Sequence, residues 1–108
     1  MAYSNALVER LSEFLPTHHY PAKRMFGGVV FFARGHMLVG VFSRGLMVRV
    51  SAADGAAYLQ SGVAQPLARD PKRMQGFIII DDMHIDRDED LEQWIAQAHA
   101  FNATLEAK

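Results

Sequence analysis

Apolar residues near the start of the chain recur at helical spacing. Leu7, Val8, Leu11, Phe14 and Leu15 form one stripe, as three- and four-residue steps do on a 3.6-residue turn. The pattern predicts a helix from about Ser4 to Leu15. The Ser4 hydroxyl can cap its first turn, and Pro16 stops it, because the ring disfavours helical geometry at the preceding residue. A polar connector, Thr17 to Ala22, follows. The period then changes. Val29–Ala33, Met37–Phe42 and Leu46–Val50 are rich in β-branched and aromatic side chains, separated by the turn signals Arg34-Gly35 and Ser43-Arg44-Gly45. Links this short join antiparallel neighbours, since a parallel crossover needs about a dozen residues or more. A meander is predicted.

The second half repeats the alternation of element types. Ser51–Ser61 predicts a short helix, capped by Ser51 or Asp54 and ended by Gly62 at the left-handed position, with Gly55 as its weak point. Gln65-Pro66-Leu67 predicts a short strand, which the proline places at an edge or a strand start. Asp70-Pro71 is a turn signal, and Phe77–Ile80 is the most β-prone run, so the two strands are expected to pair as a hairpin. The last element is a helix over about Asp88–Leu105, with Leu91, Trp94, Ile95, Ala98, Phe101 and Leu105 on one stripe. Trp94 and Phe101 are core positions by this spacing. Asp86, Asp88, Glu89 and Asp90 crowd its start, where carboxylates meet the positive end of the helix dipole, and Asp86 with Glu89 has capping-box spacing. The order α-β-β-β-α-β-β-α predicts an α+β fold: a two-layer sandwich of one five-stranded antiparallel sheet with helices mainly on one face.

Composition narrows the function classes. The 108 residues suit a single domain spanning 1–108. Eleven basic and twelve acidic residues leave a formal charge of −1, where a dedicated nucleic-acid binder usually carries a basic excess. The absence of cysteine removes disulfides, a thiolate nucleophile and cysteine-ligated metal. The opening Met1-Ala2-Tyr3-Ser4-Asn5 has no basic and apolar signal pattern, and no apolar run approaches the ~20 residues of a membrane helix. A cytoplasmic protein without membrane association is expected.

One segment is more specific. Lys23-Arg24-Met25-Phe26-Gly27-Gly28, placed directly before a hydrophobic strand, resembles the signature of the TfoX N-terminal domain family. Gly35-x-Met37, Gly45-Leu46-x-Val48-Arg49-Val50, Pro66, Lys72-Arg73-Met74 and the acidic-start helix with Trp94 follow in that family's order, over roughly residues 10–105. The resemblance implies an α+β domain with one antiparallel sheet. Two-domain members carry a further helical domain and regulate DNA-uptake competence; this sequence is expected to be a stand-alone, single-domain relative. The family supplies no catalytic residues to transfer.

The candidate sites each carry two readings. In Lys23, Arg24, Met25, Phe26, Gly27 and Gly28, the glycine backbone N–H groups with the two cations suit an anion, although the Gly-Lys-Ser/Thr end of a phosphate-binding loop is missing. The plainer reading has Met25 and Phe26 plugging the core while the glycines allow a sharp bend. Arg34, Arg44, Lys72 and Arg73 are candidates for a basic surface, but Arg34 and Arg44 belong to opposite ends of a meander. His18-His19 has no third ligand at motif distance. Asp82-x-His84-x-Asp86 shares a face only if extended, and Asp86-x-Asp88-x-Asp90 lacks the glycine and the final glutamate of a calcium loop. No metal or cofactor is expected. The serines lack a nucleophile elbow.

A complete fold signature without a reactive constellation points to a non-enzymatic regulatory or protein-interaction domain. Its partner is expected to be a protein, with a homodimer anticipated from the apolar residues on both faces of the strands. Two alternatives are a nucleic-acid-binding accessory protein using the basic turns, and a small-ligand binder or enzyme with a pocket near Met25-Phe26-Gly27-Gly28.

Overall fold

The computed structural model describes residues 3–70 and 72–108. Pro71 of the Asp70-Pro71 turn signal and Met1-Ala2 of the opening segment lie outside the described residues. The elements are α1 (Asn5–Phe14), β1 (Ala22–Met25), β2 (Gly28–Ala33), β3 (His36–Phe42), β4 (Gly45–Arg49), α2 (Ala52–Ser61), β5 (Ala64–Pro66), β6 (Phe77–Ile80), a 3₁₀ turn (Asp82–His84) and α3 (Asp88–Asn102). The strands form one sheet in the order β1-β2-β3-β4-β6-β5, antiparallel throughout. The α+β class and the meander are as expected, but among the described residues the sheet has six strands and not five.

The additional strand is β1, and it forms from the Lys23–Met25 segment. Ala22, Lys23 and Arg24 are exposed, so the strand shows no apolar alternation. What makes it is the turn that follows. Phe26 and Gly27 sit at φ 55° and 77°, and Met25 faces Gly28 across them. Positive φ at both central residues is the mirror-image turn that matches the twist of two antiparallel strands. Arg34 and Gly35, at φ 56° and 85°, make the same turn between β2 and β3.

The inner face of the sheet carries the main core. Leu7, Leu11 and Leu15 from the first helix region, and Leu91, Ile95 and Ala98 from α3, bury against Val29, Phe31, Val41, Leu46, Val48 and Ile80. A bulge between Phe31 and Phe32 pairs Val39 with Phe31 and Met37 with Phe32. Leu38 is the extra residue, and it joins Val39 in the same core. The face away from the helices holds a second, smaller apolar cluster: Val30, Phe42, Met47 and Ile79, with Met25, Phe32, Met37, Leu67 and Phe77 packed around it.

Local chemistry sets the helix ends. Ser4 Oγ accepts from the Leu7 N–H at 3.1 Å and Ser51 Oγ from Asp54 N–H at 3.0 Å. Gly62 ends α2 in the left-handed conformation, φ 86°. Gly55 lies mid-helix because a Cβ there would come 3.0 Å from the Gly76 Cα; the close approach outweighs the lost propensity. The capping box expected at Asp86 and Glu89 does not form. Arg87 occupies the cap position without a side-chain cap, and its guanidinium bonds Glu89 instead. Asp82–His84 winds into a 3₁₀ turn capped by Asp81, so Asp82, His84 and Asp86 do not align on an extended face. Trp94 packs at the edge of the core, edge-on to Tyr58 at 4.9 Å. Phe101 is half-buried and faces the Arg49 guanidinium.

One histidine ties stability to pH. Burial lowers His99 from its ordinary 6.5, with its ring edge-on to Tyr20 at 5.5 Å. The unfolded chain therefore takes the proton first as pH falls, and the stabilisation present above 6.5 is lost as pH drops through the lower folded value. Melting curves recorded from neutral to mildly acidic pH should fall more steeply for the natural chain than for His99→Gln. Parallel curves would show that His99 carries no such linkage.

Candidate functional site

The β-sheet registers lay out the helix-free face in rows. Val30, Gly40, Met47 and Ile79 are successive cross-strand partners over β2, β3, β4 and β6. Near one end of this face lies a groove of about 340 Å³. Phe42 and Ile79 belong to its floor, since both are buried members of the outer cluster. Leu67, Ala68, Ser43 and Arg44 line it further, and Phe26 and Met74 flank it from two different connections.

Phe26 and Met74 are unusual for one shared reason. Phe26 is 70% exposed and Met74 41%, yet their backbones sit at φ 55° and 52°. A left-handed backbone costs a residue with a Cβ about 1–2 kcal/mol, and glycine or asparagine would serve such turns better. Neither side chain recovers that cost by filling the core. The third such residue, Arg34, has a visible structural use: its Nη1 donates to the Asn102 carbonyl at the end of α3. The expectation that Phe26 plugs the core is therefore corrected. The tight turn ends β1 and points the ring outward, while Met25 alone joins the outer cluster.

The remaining residues anticipated from the sequence divide into two groups. Gly28 is a ladder residue facing Met25, so Gly27 and Gly28 close a hairpin. Lys23 Nζ lies 5.2 Å over the Phe32 ring, and Arg24 is exposed on the edge strand. Arg34 sits in the β2–β3 turn, at the end of the meander opposite Arg44. Arg44 straps β5: Nη1 donates to Leu67 O at 3.2 Å, and Nη2 to Pro66 O at 3.0 Å and Gln65 Oε1 at 3.3 Å. Lys72 and Arg73 are exposed in the β5–β6 connection, immediately before Met74. The structure thus gathers Phe26 and Arg44 at one groove, leads Lys72 and Arg73 up to it through Met74, and separates Arg34 from them.

Sequence reasoning missed two contributors. Arg49 ends β4 with its guanidinium 4.8 Å from the Phe77 ring centroid and 5.5 Å from that of Phe101, and burial lowers its pKa from the ordinary guanidinium value. Its alternation with Met47 on β4 was the available signal. The second is Met74, which no periodicity marks.

Charge is segregated, although the net charge is −1. Residues 17–50 and 62–80, the strands with their connections, carry eight basic side chains and one acid, Asp70. The rest of the chain carries eleven acids and three bases. Among the described residues the ion pairs are Arg10–Asp88 and Arg87–Glu89, so no cation of the strand region is neutralised by a carboxylate there.

A second hollow, about 470 Å³, is lined by His19, Tyr20, Arg34, His99 and Asn102 and contains no carboxylate. Among the described residues no cluster of three or more His, Cys, Asp or Glu side chains is placed to hold a metal ion, and no helix is long and apolar enough to cross a membrane.

No curated protein and no solved structure matched the chain significantly. The family model of the TfoX N-terminal domain matches residues 11–102, a span that includes the β1–β2 hairpin and the groove and leaves out only the first ten and last six residues, and the protein accordingly belongs to the TfoX N-terminal domain family.

Proposed function

We propose that this domain is a non-catalytic interaction module of a regulatory kind, and that it engages its partner through the groove on the helix-free face. One observation carries the reading. Two large apolar side chains, Phe26 and Met74, are held in solvent by backbone conformations that disfavour them, and both border the same depression. Strain of this kind persists where it serves a site. The acidic and imidazole groups do not converge there: the groove lining contains no carboxylate and no histidine, which supports binding in preference to general acid–base chemistry.

Site-specific photo-crosslinking tests this directly. A photoreactive phenylalanine analogue placed at position 26 should give discrete adducts in the cells that make the protein. The same analogue at position 92, exposed on α3, should not. Identical adduct patterns at the two positions, or none at position 26, would remove the groove as the interaction surface.

A further inference from the structure

We infer that the occupant of the groove is an acidic amphipathic helix of a partner protein, an inference that rests on the interaction reading above and names the chemistry of what binds. The floor is hydrocarbon, from Phe42 and Ile79, and the flanks are Phe26 and Met74. Such a surface accepts apolar side chains spaced on one face of a helix. Four of the six methionines, Met25, Met37, Met47 and Met74, lie in the outer cluster or at the groove. Flexible thioether side chains let an apolar surface adapt to a helix of varied sequence.

Charge decides the polar face of that helix. Arg44 lines the groove and uses only three hydrogen bonds, all to β5 and its end. A guanidinium has five N–H donors, so two remain for a carboxylate. Lys72 and Arg73 adjoin Met74, and Lys23 stands on the same face over Phe32. Among the described residues none of these cations is paired with an acid. A helix bearing Glu or Asp beside its apolar stripe offers carboxylates to Arg44 and to the cations that precede Met74.

The other occupants fit less well. Two copies packed groove to groove about a two-fold axis would set Lys23, Arg44, Lys72 and Arg73 against their own counterparts, because such an interface repeats one patch on both sides. Packing the acidic helical layer of one copy on the sheet of the next matches charge, but such a head-to-tail contact runs on as a filament unless its rotation closes a ring. Single-stranded nucleic acid needs open aromatic faces for its bases. Phe26 alone offers one, since Lys23 and Arg49 already cover Phe32 and Phe77 and Phe42 is 9% exposed. An extended segment added to β1 would leave the groove unfilled.

The test uses the whole chain and synthetic peptides of about 15 residues, long enough to hold a helix when bound. The probe peptide carries Leu at i, i+3, i+4 and i+7 and Glu at its polar positions. A scrambled peptide of equal composition, a version with Lys for Glu, and a single-stranded oligonucleotide are the comparisons. The acidic amphipathic peptide should bind, with affinity falling several-fold as salt is raised across the range where surface charges become screened. The scrambled and basic peptides should bind at least tenfold more weakly. The double variant Phe26→Asn with Met74→Asn should lose at least tenfold in affinity while its melting temperature holds or rises, because asparagine suits both backbones. Equal binding of scrambled and acidic peptides, or undiminished binding by the double variant, overturns the inference. So does Phe26-dependent binding of the oligonucleotide without the peptide, or self-association through Phe26 that excludes the peptide. Adducts at position 26 combined with no peptide binding would refute the acidic helix and leave the docking face standing. Failure of both experiments would remove both.

Discussion

Gly28→Ala should be strongly destabilising, and Gly27→Asn, one residue away, should be almost silent. A Cβ at position 28 would overlap the Val41 carbonyl oxygen and sit 2.6 Å from Phe42 Cδ1. Neither neighbour can yield. The Val41 carbonyl belongs to a strand paired on both sides, and Phe42 is wedged in the outer cluster beneath the groove. Overpacking into a filled site costs about 1–3 kcal/mol and sometimes more, and a clash with fixed backbone belongs at the upper end. With roughly 4–8 °C lost per kcal/mol in a domain of this class, the melting temperature should drop by well over ten degrees. Gly27 is glycine for a different reason. Nothing lies within 4 Å of the position its Cβ would take, but its φ is +77°, a conformation asparagine also tolerates. Calorimetry on the two variants separates crowding from conformation. Equal losses would refute this division of roles. Gly28→Ala should also tilt Phe42 and so reshape the groove, which links the Gly-Gly pair to binding through packing.

Asn102→Ala is expected to cost about 1–3 kcal/mol, the usual penalty for a buried polar group left without its partner. Asn102 is 4% exposed and is the buried polar residue among those described. Its Nδ2 donates to the Ala33 carbonyl at 3.0 Å, and its own carbonyl accepts from Arg34. These bonds fasten the end of α3 to the β2–β3 turn. The chain beyond is held nearby, with His36 Nε2 2.6 Å from Glu106 O and the Lys108 N–H donating to Arg34 O at 3.0 Å. Asn102→Asp has the same shape with an acceptor in place of the donor, and should cost at least as much at neutral pH. Urea unfolding with an unchanged slope would report the loss as stability alone. A midpoint equal to that of the natural chain would show that the Ala33 carbonyl finds another donor.

Stability and binding are expected to oppose one another at Phe26 and Met74, where a better turn residue removes the apolar flank of the groove. That opposition is the sign of a position kept for contact. It also explains why Lys23–Gly28 was so hard to place from spacing. A strand of exposed residues and an outward ring carry no periodic signal, while the same letters read locally suggest a core plug or an anion loop.

Much was determined by the sequence itself. The stripes of Leu7, Leu11 and Leu15 and of Leu91, Ile95 and Ala98, the Ser4 and Ser51 caps, the Gly62 stop and the short links between Val29 and Val50 depend on neighbours within a turn or a hairpin. Their geometry follows from local periodicity, propensity and turn length. Only the tertiary structure decided that β1 pairs at the sheet edge, that Asn102 is sealed beneath a turn sixty-nine residues earlier in sequence, and that Phe26 and Met74 face one groove. It also sorted a chain of formal charge −1 into a basic sheet region and an acidic helical one. The physical reason is distance along the chain. Contacts between remote segments are set by how the sheet and helices stack, and no window of sequence records which remote side chains that stacking brings together.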